Sequence, residues 1–231
     1  MGRRLLTEGL SWLLTAAFPF LLVLLLVRAV MAPWFLTFEY TRPDMPPDYY
    51  GFSLEERLQY GPVGIEYITT SAEISLLGDL TFPNGAPLFT ERELDHMVDV
   101  KVVTNAAFAL MAMLLAIVPI TVVALRLLCR TWRPVLMGIQ RGAMLTLGII
   151  GVVVVGAVVA WDVFFTTFHQ LFFSDGTWLF FTSDTLIRLY PEKFWFDAAI
   201  LIGTATVLLS IATIVLCWRL LHRESSVKLA P

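Results

Sequence analysis

Four long apolar runs constrain this chain more than any other feature. They cover Leu10 to Met31, Val102 to Leu125, Ala143 to Val163 and Ala198 to Trp218. A helix needs roughly 20 apolar residues to cross about 30 Å of hydrocarbon, so each run is long enough to span a bilayer. Inside a bilayer the backbone must satisfy its own hydrogen bonds, which selects helices. Composition agrees: of 231 residues 58% are hydrophobic and 15% charged, with a mean hydropathy of +0.76. Average soluble domains carry roughly 25% charged residues. The first run admits another reading, a cleaved signal peptide, because Arg3 and Arg4 precede it and Val30-Met31-Ala32 has the form of a cleavage site. Its apolar stretch exceeds the roughly 7–15 residues of a signal core, so a retained span is expected. Pro19 predicts a kink in it, and Arg28 can snorkel to the interface. In the third run Gly148, Gly151 and Gly156 predict close helix packing.

Charge sets the expected orientation. The 126–141 loop carries Arg126, Arg130, Arg133 and Arg141 and no acid. Arg3 and Arg4 lie at the N-terminus, and Arg219, Arg223 and Lys228 in the C-terminal tail. The positive-inside rule places all three in the cytoplasm. Segments 33–100 and 164–197 then lie outside. The first is acid-rich, with Glu55, Glu56, Glu66, Glu73, Asp79, Glu91, Glu93, Asp95 and Asp99. The expected segments are a first span with a cytoplasmic N-terminus (1–32), an outer cap (33–100), spans over 101–126, 143–163 and 198–218, a cytoplasmic loop (127–142), a second outer segment (164–197) and a cytoplasmic tail (219–231). The fold class is an all-α membrane core, a four-helix transmembrane bundle, with a small extracytoplasmic α+β cap.

Within the cap, Trp34 to Thr41 reads as a strand. Ser53-Leu54-Glu55-Glu56 reads as a capping box opening a short helix. Gly64 to Ile74 looks extended again, and Asn84-Gly85 looks like a hairpin turn. Thr90-Glu91-Arg92-Glu93 is a second capping box, expected to start a helix running through His96 into the second span. The second outer segment is rich in aromatics, including Phe172, Phe173, Trp178, Phe180 and Phe181. An interfacial belt is the ordinary explanation; a groove for acyl chains has the same composition.

The chain has three histidines. His96 lies just before the second span and His169 just after the third, so both belong to the outer face. His222 follows the fourth span on the cytoplasmic side and has no comparable surroundings. A lone interfacial histidine is usually unremarkable. Two at one depth with acids nearby are candidates for proton transfer, since a carboxylate can orient an imidazole and stabilise its charged form. Asp99 is three residues from His96 and shares its helix face. If the third helix continues, Asp162 lies seven residues before His169 on one face; the alternative is a carboxylate paired with Lys101 or Arg188. Asp184 and Arg188 have the spacing of an i, i+4 ion pair, usually structural. Arg188 has a second possible use, holding a lipid phosphate or an oxyanion.

Other chemistries leave little trace. There is no Gly-rich phosphate loop and no G-x-S-x-G elbow. Cys129 and Cys217 have no zinc spacing and imply no disulfide framework. Two histidines are few ligands for a metal. No cofactor, metal or nucleic acid is expected.

The block Phe89-Thr90-Glu91-Arg92-Glu93-Leu94-Asp95-His96-Met97-Val98-Asp99-Val100-Lys101 resembles the His-Met-x-Asp-Val-Lys signature of the bacterial lipoprotein intramolecular transacylases. Phe168-His169-Gln170-Leu171-Phe172-Phe173 with Gly176-Thr177-Trp178 is similar to that family's second block. Asp184-Thr185-Leu186-Ile187-Arg188-Leu189-Tyr190-Pro191-Glu192-Lys193-Phe194-Trp195 is similar to its third. The resemblance implies an acyltransferase of the bacterial cell membrane. Its substrate is a diacylated lipoprotein whose N-terminal cysteine carries a diacylglyceryl group and a free amine. The sn-2 acyl chain moves onto that amine, giving a lyso-form lipoprotein. His96 and His169 are the implied catalytic pair. Asp99, Asp162, Asp184, Arg188 and Trp178 are candidate supporting residues. Membrane lipids are expected partners, and a monomer is the expected state. The rival readings are another outer-leaflet acyltransferase or lipid hydrolase, a small transporter, or an assembly factor. Thr204, Thr206, Ser210 and Thr213 in the fourth span are the only hint of a transport path.

Overall fold

The computed structural model describes residues 2–173 and 176–227. Its helices are α1 (Gly2–Val30), α2 (Pro33–Tyr40), α3 (Leu54–Thr69), α4 (Ser75–Gly78), α5 (Glu91–Cys129), α6 (Arg133–Val159), α7 (Trp161–Phe172), α8 (Thr185–Leu189) and α9 (Glu192–Val227). Among the described residues four stretches, Gly2–Val30, Glu91–Cys129, Arg133–Gly156 and Glu192–Arg223, are long and apolar enough to cross a membrane. The chain divides into two compact units: Met1–Leu26, Ala109–Val159 and Ile202–Pro231 form one, Val27–Phe108 and Ala160–Leu201 the other.

In the first unit, α1 and α6 approach closely at Gly138 and Gly142. A Cβ on Gly138 would lie 2.7 Å from the Ser11 carbonyl oxygen, and one on Gly142 would lie 2.6 Å from the Phe18 Cβ. This is the small-xxx-small solution to packing without a hydrophobic driving force. The sequence expectation named other glycines. Gly148, Gly151 and Gly156 would bring an added Cβ within 4 Å of nothing. Thr15 ties the same pair of helices, donating to the Gly138 carbonyl at 3.0 Å. Arg141 donates to Ser11 Oγ at 2.6 Å and lies 4.3 Å over the Trp12 ring.

The second unit is helical. No strand occurs among the described residues, so the expected α+β cap is corrected to an α cap. Trp34 to Thr41 carries the aromatic and β-branched residues of a strand, yet forms α2. Pro33 sits at its start, where the missing N–H costs nothing. Phe35, Leu36, Glu39 and Tyr40 are buried, the spacing of one helix face. The Ser53–Glu56 capping box is present, but α3 runs on to Thr69 and replaces the expected extended segment as far as that residue. Its glycines serve close packing rather than helix termination. Tyr190 Oη donates to the Gly61 carbonyl at 2.5 Å, and a Cβ on Gly64 would collide with that tyrosine hydroxyl. Asn84-Gly85 does form the expected turn. Gly85 has φ +83°, Phe82 N–H bonds the Ala86 carbonyl at 2.8 Å, and a single bridge joins Thr81 to Pro87. The core gathers Phe35, Leu36, Tyr60, Tyr67, Leu77, Leu88, Phe89, Leu189 and Phe194.

Candidate active site

The start of α5 is fixed before the first histidine is reached. Glu93 is buried, and its Oε2 accepts the Thr90 N–H at 2.8 Å, completing the second capping box. Its other oxygen accepts the Leu186 N–H at 2.7 Å, at the start of α8. One carboxylate thus satisfies orphan donors at two helix N-termini, where negative charge is favoured. Thr185 adds a buried bond from its hydroxyl to the Leu88 carbonyl.

His96 follows on α5, and His169 comes from the last turn of α7. Both imidazoles pack on Phe173, with ring centroids at 5.0 Å for His96 and 5.9 Å for His169. Phe180 meets His96 edge-on at 5.2 Å, and Trp178 lies 4.8 Å from His169, tilted 31°. The two histidines and Trp178 therefore share one aromatic cluster. His96 Nδ1 is buried and has no hydrogen-bond partner among the described residues. His96 lies in the polar first turns of α5, outside the apolar stretch that begins at Val102. Burial pushes its imidazole down to about 4; the charge of His169 adds to this, and Asp99 opposes it. The ring is neutral at physiological pH.

The expected supporting residues divide. Asp99 is exposed and acts on His96 through charge, without a hydrogen bond. Asp162 shares α7 with His169, but its side chain lies outside the described residues. The expected Asp184–Arg188 ion pair is absent. Asp184 instead pairs with Arg92 at 2.7 Å and accepts the Phe181 N–H at 2.9 Å. Arg188 turns to the buried Asp48, donating through Nε at 3.1 Å and Nη2 at 3.0 Å, and lies 3.7 Å over Phe52. The reason is burial: Arg188 is in the cap interior, where a guanidinium needs a partner that is also inside. Sequence reasoning missed Arg92, Asp48, Phe173 and Phe180 as parts of this arrangement. Arg92 had a local signal, four residues before His96 on the same helix face, and so had Phe173, four residues after His169. Among the described residues no group of three or more His, Cys, Asp or Glu could hold a metal ion.

The family model described as lipoprotein intramolecular transacylase Lit matches residues 12–195. The chain belongs to the Lit family. It is an acyltransferase, a lipoprotein intramolecular transacylase of the membrane. An uncharacterized protein of Aquifex aeolicus (strain VF5) is 30% identical over 203 residues, covering 87% of this chain and 90% of that protein. The fold is also that of the membrane-integral Lit from Bacillus cereus solved in meso. That structure is 21% identical, with a TM-score of 0.76 over 96% of this chain and 97% of that one. Two further structures of the Bacillus cereus Lit carry a substitution of one histidine, by arginine and by alanine, with TM-scores of 0.75 and 0.74.

Proposed function

We propose that this Lit-family enzyme moves the sn-2 acyl chain of a diacylglyceryl-cysteine onto the α-amine of the same residue, with His96 as base and His169 as acid. The observation that carries this assignment is the aromatic cluster holding both imidazoles against Phe173, with the Nδ1 of the neutral His96 buried and unpartnered. Nucleophile and ester belong to one molecule. Aligning them supplies much of the rate, since effective molarities can reach roughly 10⁵–10⁸ M. The amine attacks the sn-2 carbonyl as a neutral group and gives its proton to His96. The tetrahedral oxyanion that develops stabilises the new imidazolium, as does Asp99. The C–O bond then breaks, and His169 protonates the departing glyceryl oxygen. An amide and a free hydroxyl result, and no water or second acyl donor is consumed. The histidines return to their starting protonation through solvent.

Arg188 is committed to Asp48, so oxyanion binding is assigned to the protonated histidine or a backbone N–H rather than to its guanidinium. Trp178 shapes the His169 side, and the exposed side chains of Leu171, Phe172, Leu179 and Phe181 suit contact with acyl chains. The orientation follows from the arginine distribution: both termini cytoplasmic, with the histidines at the extracytoplasmic face of a bacterial cell membrane.

The test is mass spectrometry of a diacylated lipopeptide carrying an isotopically labelled sn-2 chain. Wild-type protein should return the label on the amine of the same molecule. His96→Asn and His169→Asn should each lower that yield by at least about 100-fold, within the usual contribution of a positioned acid or base. Wild-type rates in either variant would overturn the assignment, and label appearing on other molecules would point to an intermolecular acyltransferase.

A further inference from the structure

Arg92 has no place in the proton transfers above, yet it stands one turn before His96 on α5. Its Nη2 donates to Asp184 at 2.7 Å, and the same carboxylate oxygen accepts the Phe181 N–H at 2.9 Å. Its guanidinium lies 5.3 Å over the Phe180 ring and 5.4 Å over that of Phe181. Phe180 in turn meets the His96 ring at 5.2 Å. A chain of contacts therefore runs from Asp184 through Arg92 and Phe180 to the imidazole. We infer that Arg92 is a positioning residue for His96: paired with Asp184, it holds the Phe180 ring against the imidazole and keeps water from that face.

The inference rests on the reading of His96 as the base. The groups whose charges act on this imidazole are His169 from α7 and Asp99 on α5, while Arg92 and its partner Asp184 stand behind Phe180. Among the influences on the imidazole, burial is the largest, followed by the charges of His169 and Asp99. Loss of the Phe180 cover would act on that largest influence. It would let the ring return toward the ordinary histidine value of about 6.5. An exposed ion pair alone does little for stability, so a merely structural Arg92 would leave the ring's titration where it is.

The experiment uses the full chain in detergent micelles. Ring resonances of labelled histidine, with His96 assigned by their loss in His96→Asn, are followed from pH 3.5 to 8.5. Rates on a diacylated lipopeptide are measured in parallel, each variant relative to wild type at the same pH, so that titration of the substrate amine divides out. Arg92→Gln should raise the His96 titration by more than about one pH unit; a full return to about 6.5 would lower its relative rate at pH 5.5 about tenfold against its relative rate at pH 8, and a smaller rise would lower it in proportion to the neutral fraction lost. Arg92→Lys, which keeps the charge beside Asp184, should titrate close to wild type. Phe180→Ala should reproduce the Arg92→Gln shift, and the double variant should shift no further than Phe180→Ala. An unmoved titration in Arg92→Gln, whatever Phe180→Ala does, or a double variant that shifts further, would overturn the inference. The titration is read without activity. An active His96→Asn would therefore sink the catalytic assignment alone, while the ring's pH response still decides the role of Arg92.

Discussion

Arg188 keeps its charge inside the cap because Asp48 stands against it at 3.0 Å, with Phe52 beneath the guanidinium. Burial alone would raise the Asp48 carboxyl, but the Phe52 N–H and Arg188 outweigh it and hold it below the usual carboxylate value. A carboxylate depressed in the folded state stabilises the fold above its unfolded value, about 3.9, and that contribution is lost as pH falls through the folded value. Acid should therefore weaken the cap only below about pH 4 through this pair. Asp48→Asn leaves a buried cation short of its counter-ion and is expected to cost about 3 kcal/mol, read from thermal or denaturant unfolding. His96 shows the other outcome: with aromatic rings against it and no carboxylate bonded to it, it stays neutral. The pairing of the two histidines was legible because one lies just before the second apolar run and the other just after the third, ends that an alternating topology brings to the same side. Arg188 was misread, because the i, i+4 spacing to Asp184 is visible locally while its true partner lies 140 residues away. Arg92 and Asp184, 92 residues apart, were hidden for the same reason.

At the scale of elements, the long apolar helices were legible from length and hydropathy. Both capping boxes and the Asn84-Gly85 turn were legible from local chemistry. The cap helices were not. Aromatic and β-branched residues in α2, and Gly61, Pro62 and Gly64 in α3, argue locally against helix. Tertiary packing overrides them, since α2 buries one face in the core and the α3 glycines admit the tyrosine hydroxyls. Gly64→Ala should then destabilise the cap by about 1–3 kcal/mol through overpacking against Tyr190. Gly151→Ala, where nothing stands within 4 Å, should be neutral or stabilising by up to about 1 kcal/mol. Thermal unfolding of the two purified variants checks the contrast. Glu93→Ala removes one carboxylate from two helix starts, leaving the buried Leu186 N–H unsatisfied. It should cost about 1–3 kcal/mol, with hydrogen exchange accelerated around Thr90 and Leu186.

For the molecule as a whole, the proposed topology is open to direct measurement. A reporter active only outside the cytoplasm should be active when inserted after Pro83 and inactive when fused to the C-terminus. The reverse result would invert the arrangement. Exposed apolar side chains such as Ile120, Val152, Leu208 and Ile211 give the long helices the outer surface a hydrocarbon solvent requires. One further consequence follows from the neutral His96. Its ring takes up a proton only near pH 4, whereas a free α-amine does so at roughly 7.7–8.0. If His96 is the base, acidification should therefore slow the amine attack first through protonation of the substrate's own amine, well before the base itself is titrated.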